Sequence, residues 1–458
     1  MGEWAPVGRP QDKRPHRVPP HHLLTHASIL GMTGSGKTGL ITVLIEETLK
    51  ARVPVLAIDV KGDLPNLFLA VPSFDPQELL PYAAGMARAG DRRPDIEIAT
   101  EISFQREKAL AACGIGLPEL RALRESSALR LITPGSDVGE PLHLFSAIET
   151  RSAIWDTDRE SARASLSASM TLVLRLLGVD ADPAKSREHV LLCELAERRL
   201  VEGRDSDIRA LTSDLIAPPM AEIGIMKVDD YVTPRERLSL VQSLNTLVAS
   251  RTFSSWRQGS PLDLNEWLTP KLGRTPGVVF SVAHLGPEEQ MLALSQLLEA
   301  VLAWVKQLPG SSNLKALVLF DEIAGFLPPH PRKPSTKGPL VALMKQARAF
   351  GVGMVVATQN TMDLDYRALS NAGLWWLGHL VADGDGKRVM DGLALAGSSF
   401  EDQVRALLPR LKKRWFFERD VHADRNEPIL MRPRHAMSVL GGPLTEVGMS
   451  LARQRYMG

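Results

Sequence analysis

Cysteine is almost missing from this chain. Only Cys113 and Cys193 occur in 458 residues, far apart, so a disulfide framework and a four-cysteine zinc site are excluded. Both are expected to act as small buried hydrophobes. Aromatic residues are scarce as well, at 5% with only 4 Tyr, and no aromatic residues interleave the basic runs, so a base-stacking platform for single strands is not indicated. An excess of one charge is also lacking: 54 basic and 53 acidic side chains leave a formal net charge of +1. No global field marks a nucleic-acid binder, and any such surface must be local. Long apolar runs are missing too. The longest, Met291 to Val305, is interrupted by Ser295, Gln296 and Glu299 and falls short of the roughly 18 to 20 residues that span a bilayer.

The segment from Met1 to Pro20 alternates Pro, Arg and Lys without the apolar centre of a signal peptide. Secretion is not expected, the cytoplasm is, and residues 1–22 read as a flexible arm. His21, His22 and His26 cluster before the first apolar run with no cysteine or carboxylate beside them in sequence, and are expected to be exposed linker residues. What is present is ordinary for a globular chain, 44% hydrophobic and 23% charged. A chain this long can bury a large core without staples.

Apolar runs and turn residues divide the chain. Ala27 to Leu30 is a short apolar run ending in glycines, and Leu40 to Leu49 is apolar nearly all round, which predicts a strand, a loop and a buried helix. Pro54 to Asp59 and Leu129 to Thr133 read as further strands. From about Ser152 the pattern turns helical for more than a hundred residues, with a capping box at Thr233 and Glu236 opening a helix through about Leu247. Strand patterns return at Val278 to Ala283, Ala316 to Phe320, Val352 to Thr358 and Trp375 to Leu380, separated by helical stretches. Alternation of this kind implies crossovers and a parallel sheet, an α/β fold. The expected division is a first core half at 23–150, a helical insertion at 151–272, a second core half at 273–400, and a tail at 401–458 with a strand at Trp415 to Glu418.

Three constellations carry chemistry. Gly31, Met32, Thr33, Gly34, Ser35, Gly36, Lys37 and Thr38, followed by Gly39, form a phosphate-binding loop between a predicted strand and a predicted helix. Glycines let backbone N–H groups turn around a phosphate, the helix presents its positive end, Lys37 reaches the terminal phosphates and Thr38 takes Mg²⁺. Leu317 to Phe320 delivers Asp321 and Glu322 at the carboxyl end of a strand, where Asp321 would anchor Mg²⁺ and Glu322 would polarise the attacking water. Such a pair can also be a solvated helix start. Val352 to Thr358 ends in Gln359 and Asn360, and an amide there can sense the γ-phosphate.

With these in order, the chain resembles the HerA/FtsK superfamily of P-loop ATPases, specifically the bacterial branch of HerA-helicase-like ATP-binding proteins. The resemblance rests on THASILGMTGSGKTGL, PVLAIDVKGDLPNL, ITPGSDVG, SREHVLL, FSVAHL, DEIAGFLPP, KQARAFGVGMVVATQN, DLDYRALSNAG and GGPLT. It implies a RecA-like P-loop NTPase with a mostly parallel central sheet, using ATP and Mg²⁺. It also implies a ring, expected to be a hexamer, that translocates or remodels double-stranded DNA, with a partner nuclease or effector in some relatives. Lys37, Thr38, Asp321, Glu322 and Gln359 take over the family's roles. Asp59 would sit near the catalytic water or Glu322, or be a solvated Asp before the turn at Lys61 and Gly62.

The chain departs from the family's pattern in three places. His379 stands where many relatives carry an arginine directed at the neighbouring subunit's nucleotide; Lys387 and Arg388 could supply that charge in trans, or form a solvated pair. Thr361 replaces a proline after the Gln-Asn pair. Too few residues precede the phosphate loop for a β-barrel. DNA phosphates would be gripped by loops, and His330, Arg332, Lys333 and Lys337 in a Pro-rich loop are the first candidates, with an ordinary basic surface loop the equal alternative. Arg410, Lys412, Lys413 and Arg414 form a second basic cluster of lower weight. The alternative to a motor is a nucleotide-switched assembly scaffold that recruits or activates a partner enzyme; a weaker third reading moves protein instead of DNA.

Overall fold

The phosphate loop, the acidic pair and the amide reach the same end of a sheet because their strands run parallel. In the computed structural model, residues 1–458 are described except 8, 10, 88–89, 153, 180–184, 360–363, 370, 381–400, 424–428 and 458. The described residues form two units, Met1–Ile132 with Asn265–Met291 and Val305–Gly458, and Thr133–Leu264 with Leu292–Trp304.

The first unit holds an eleven-stranded sheet. In chain order its strands are β1 (Gly2–Pro6), β2 (Arg14–His16), β3 (Ala27–Leu30), β4 (Val55–Asp59), β5 (Ser127–Ile132), β6 (Thr275–Ser281), β7 (Ser311–Asp321), β8 (Phe350–Thr358), β9 (Leu374–Leu377), β10 (Phe416–Asp420) and β11 (Ile429–Pro433). Their spatial order is β2-β1-β11-β10-β9-β3-β8-β7-β4-β6-β5. From β9 to β5 every pair is parallel, and from β9 to β2 every pair is antiparallel. A mostly parallel sheet covered on both faces calls for near-continuous apolar strands. Val55–Asp59 and Thr275–Ser281 are buried along their whole length, as that rule requires. The core gathers Ile29, Leu44, Val55, Leu131, Leu319, Val355 and Trp376 around this sheet.

The parallel part follows the expected RecA-like plan, since the strand preceding the phosphate loop, β3, is separated by β8 from β7, which carries the acidic pair. The antiparallel extension corrects one expectation. Residues 1–22 are no flexible arm: β1 pairs β11 from Gly2↔Pro433 to Pro6↔Ile429, and β2 follows it. Prolines and arginines suit this place because a sheet edge tolerates missing donors and charged side chains. Of the histidines expected to be exposed, His21 is so, and the other two are corrected. His22 and His26 are buried; His22 Nδ1 lies 2.6 Å from an Asp420 oxygen, and His26 Nδ1 accepts from the Met354 N–H at 3.0 Å. Their partners are more than three hundred residues away in sequence. Cys113 is exposed and Cys193 half-buried, so the expectation of buried thiols fails for Cys113.

The second unit is mainly helical. Helices Arg159–Leu176, Arg187–Val201, Ile208–Ile216 and Pro234–Val248 start at Asp158, Ser186, Asp207 and Thr233, whose side chains accept first-turn N–H bonds. Thr233 and Glu236 form the expected capping box. The unit begins and ends earlier than expected and takes in Leu292–Trp304 of the helix Pro287–Gln307. Gly135 (φ +74°) is required here, because a Cβ would fall 2.6 Å from the Trp256 ring nitrogen. No helix of the described residues is long and apolar enough to cross a membrane.

Candidate active site

The carboxyl ends of β3, β4, β7 and β8 bring the sequence's separate motifs together. After Leu30 the chain turns through the phosphate loop, with Gly34 and Gly36 at φ +81° and +99°, and enters helix α1 (Lys37–Lys50) directly from Gly36. Only glycine adopts these conformations at little cost. With no side-chain cap at Gly36, the first N–H groups of α1 are left for an anion. Ser35 is buried and its hydroxyl has no hydrogen-bond partner, an orphan polar group beside that helix start.

Lys37 folds back over the loop, its ammonium donating to the Gly31 carbonyl and to Met32 O at 3.1 Å. Burial, offset in part by the charge of Glu322, lowers its pKa to about 8. A lysine held in this way on carbonyls that can release it is poised for a stronger anionic partner. Two outlying segments brace the loop. Arg414 N donates to Ser35 O at 2.8 Å, and Met32 N donates to His379 O at 3.0 Å.

Asp321 and Asp59 are register partners on β7 and β4, and both are buried. Asp59 accepts from Ser281 Oγ and Gly62 N, each at 2.9 Å. Burial raises it to about 6 against those bonds. Burial and then the Asp59 charge push Asp321 up to about 7. Asp59 thus lies on the strand beside Asp321, and the solvated-turn alternative is excluded by its burial.

Glu322 leaves β7 with φ +60°, a left-handed turn that a non-glycine residue makes only when its surroundings hold it. Three donors do so. Lys61 Nζ reaches Oε2 at 2.5 Å, and Oε1 accepts from Thr358 Oγ1 at 2.7 Å and from Gln359 N at 3.2 Å. Burial alone would raise this carboxyl, but the bonds from Lys61 and Thr358 and the Lys61 charge outweigh it and hold the pKa below its usual value. Gln359 completes a chain of contacts back to the loop, its Oε1 accepting from Thr33 Oγ1.

The structure therefore brings Thr33, Lys37, Asp59, Asp321, Glu322 and Gln359 to one end of the sheet. Lys61 and Thr358 were missed by sequence reasoning. Each lies at the end of a strand leading there, and Lys61 falls two residues after Asp59, a signal that strand order alone would have supplied. Lys387 and Arg388, with Asn360 and Thr361, lie outside the described residues. His379 stands against this chain's own phosphate loop through its carbonyl. Among the loop cations, His330, Arg332 and Lys333 are exposed. Lys337 is not a free cation: its ammonium pairs with Asp365 at 2.7 Å and donates to Pro328 O at 2.6 Å, with the side chain 15% exposed. Arg414, from the second basic cluster, is likewise committed, to His435 and to Pro433 O at 2.9 Å.

Residues 7–99 match the family model of the helicase HerA central domain. The matched residues hold the phosphate loop, α1 and β4, including Asp59 and Lys61. No curated protein matches the chain. Among solved structures, the plasmid coupling protein TrwB in complex with an ATP analogue aligns at 14% identity and TM-score 0.47, over 97% of this chain and 93% of that one. TrwB with ADP and Mg²⁺ aligns at 14% and 0.45, over 96% and 92%. VirB4 of Thermoanaerobacter pseudethanolicus aligns at 12% and 0.45, over 90% of each chain.

Proposed function

We propose that this chain is a Mg²⁺-dependent ATPase of HerA/FtsK type that assembles as a ring, expected to be a hexamer, and moves or remodels double-stranded DNA in the cytoplasm. The observation that carries the enzymatic half is the placement of Glu322, fixed by three hydrogen bonds at the sheet end that also presents Lys37 and the phosphate loop. A protein that only bound nucleotide would need the loop without a second, ordered carboxylate.

The phosphates of ATP would lie along Gly34 to Thr38, on backbone N–H groups and the start of α1. Lys37 would exchange its two carbonyl partners for phosphate oxygens. Mg²⁺ keeps most of its water and takes few protein ligands beside the phosphates. That pattern fits here, because Thr38 in the first turn of α1 and the buried Asp321 at the end of β7 offer one hydroxyl and one carboxylate. When bound, the ion supplies charge that offsets the growing negative charge on the phosphates. Glu322 orients a water through a free lone pair and draws off its proton as the oxygen attacks the γ-phosphorus and the bond to ADP breaks. Gln359, tied to Thr33 and Glu322, would register loss of the γ-phosphate.

Arg332 and Lys333 remain the candidates for DNA contact, and Lys387 or Arg388 for a contribution in trans. A nuclease or other effector is the expected class of partner. One observation favours the scaffold reading instead: Lys337, expected to grip DNA, is engaged within the chain. Steady-state ATP hydrolysis with and without linear double-stranded DNA, using Lys37→Ala as the blank, separates the readings. Stimulation above the blank that is lost in an Arg332→Ala/Lys333→Ala variant supports the motor. Turnover that ignores DNA supports the scaffold, and no turnover above the blank refutes the ATPase.

A further inference from the structure

We infer that Lys61 is a positioning residue that aims the Glu322 carboxylate, an inference that rests on the hydrolytic reading above. An ionised carboxylate offers about four lone-pair sites. Thr358 Oγ1 and Gln359 N take Oε1 from the β8 side, and Lys61 takes one site of Oε2 from the end of β4. The carboxylate is clamped between the two strands that flank β7, and the clamp leaves about one acceptor site, on Oε2, for a water. Without Lys61, Oε2 has no partner on the β4 side. The carboxylate could then swing about the two remaining bonds, and the vacant site would no longer point in one direction.

The pair is not a loose surface contact. Its side chains are 33% and 14% exposed for Lys61 and Glu322, and the left-handed backbone at Glu322 commits the residue to this direction before the side chain is placed. The neighbours of Lys61 also explain why a cation stands there. Asp63, Asp321 and Glu322 are three carboxyl groups on which its charge acts. A neutral side chain would leave Lys37 as the remaining cation coupled to Asp321 and Glu322.

The test is a set of variants of the full chain. Lys61→Met should lower kcat about 10²-fold, the cost of a small misplacement of a reacting group, with KM and the Kd for a fluorescent ATP analogue unchanged. Lys61→Arg should recover part of kcat. In a Glu322→Gln background, Lys61→Met should lower kcat no further. Melting curves without nucleotide read the contact independently, and the two substitutions should be non-additive in Tm. Wild-type kcat in Lys61→Met, a proportional rise in Kd, or additive melting shifts each overturn the role. A wild-type chain without turnover refutes the hydrolytic reading itself, and the nucleotide-free melts then decide separately whether the Lys61–Glu322 contact exists.

Discussion

Replacing Glu46 by alanine should release the carboxyl-terminal segment from the helix that follows the phosphate loop. Glu46 lies on α1 and is 1% exposed. Its carboxylate accepts from Arg434 Nη1 at 2.8 Å, from Met437 N at 3.0 Å, and from Ser438 N and Oγ at 2.8 and 2.9 Å. Removing one partner of a buried ion pair costs about 3–5 kcal/mol, and each orphaned buried donor about 1–3 kcal/mol. These costs overlap, and Arg434 keeps Glu47 at 2.6 and 2.8 Å, so about 3–5 kcal/mol in total is the reasoned figure. For a unit of roughly 300 residues, an unfolding entropy of about 2.1 cal/mol/K per residue converts this to a fall in Tm of about 5–8 °C. Circular dichroism melts of wild type, Glu46→Ala and Glu46→Gln test it, with Glu46→Gln expected to lie between the other two. A Glu46→Ala melt within about 2 °C of wild type would refute the reasoning.

Other consequences can be checked more briefly. Gly36→Ala places a Cβ 3.0 Å from Arg414 Cγ and 3.2 Å from its Cα at φ +99°, so a steric clash adds to the left-handed strain and nucleotide binding should weaken by more than the roughly 5- to 30-fold that the strain alone costs. Gly34→Ala, at φ +81° with open space around it, should cost only the conformational strain of about 1–2 kcal/mol; equal losses in a fluorescent-nucleotide titration would contradict the difference. Burial and then the Arg348 charge lower His26 to about 4, below its ordinary value of about 6.5 in the unfolded chain. The unfolded chain therefore takes up the proton first. The stability His26 contributes is complete above about pH 6.5 and is lost as pH falls toward 4, up to about 3 kcal/mol. Urea midpoints across that window should flatten in His26→Gln, and an unchanged slope would exclude His26 as the cause. Lys337→Ala should cost about 1–2 kcal/mol of stability without lowering DNA-stimulated turnover; loss of stimulation at unchanged stability would return Lys337 to the DNA surface.

The sequence by itself determined those features whose cause is local. The Gly-rich loop before an apolar helix, the run of Leu317 to Phe320 ending in Asp321 and Glu322, and the capping box at Thr233 and Glu236 each depend on residues within a few positions of one another. Short-range sterics and periodicity therefore reveal them. The parallel part of the sheet was legible too, because strands buried on both faces must be apolar throughout. The amino-terminal strands were not legible: Gly2–Pro6 is held by register with Ile429–Pro433, and nothing inside a stretch of Pro, Arg and Lys announces a partner more than four hundred residues away.

Buried polar groups show the same division. Glu46 sits inside an apolar helix, and His26 before a strand, and what satisfies each of them comes from distant chain. Lys61 is the case nearest the chemistry. Two residues past β4 it reads as an ordinary turn lysine, and only the lateral order of β4, β7 and β8 sets it against Glu322 opposite Thr358. Strand order is decided by how the whole sheet packs, and a carboxylate's hydrogen-bond partners are decided by strand order.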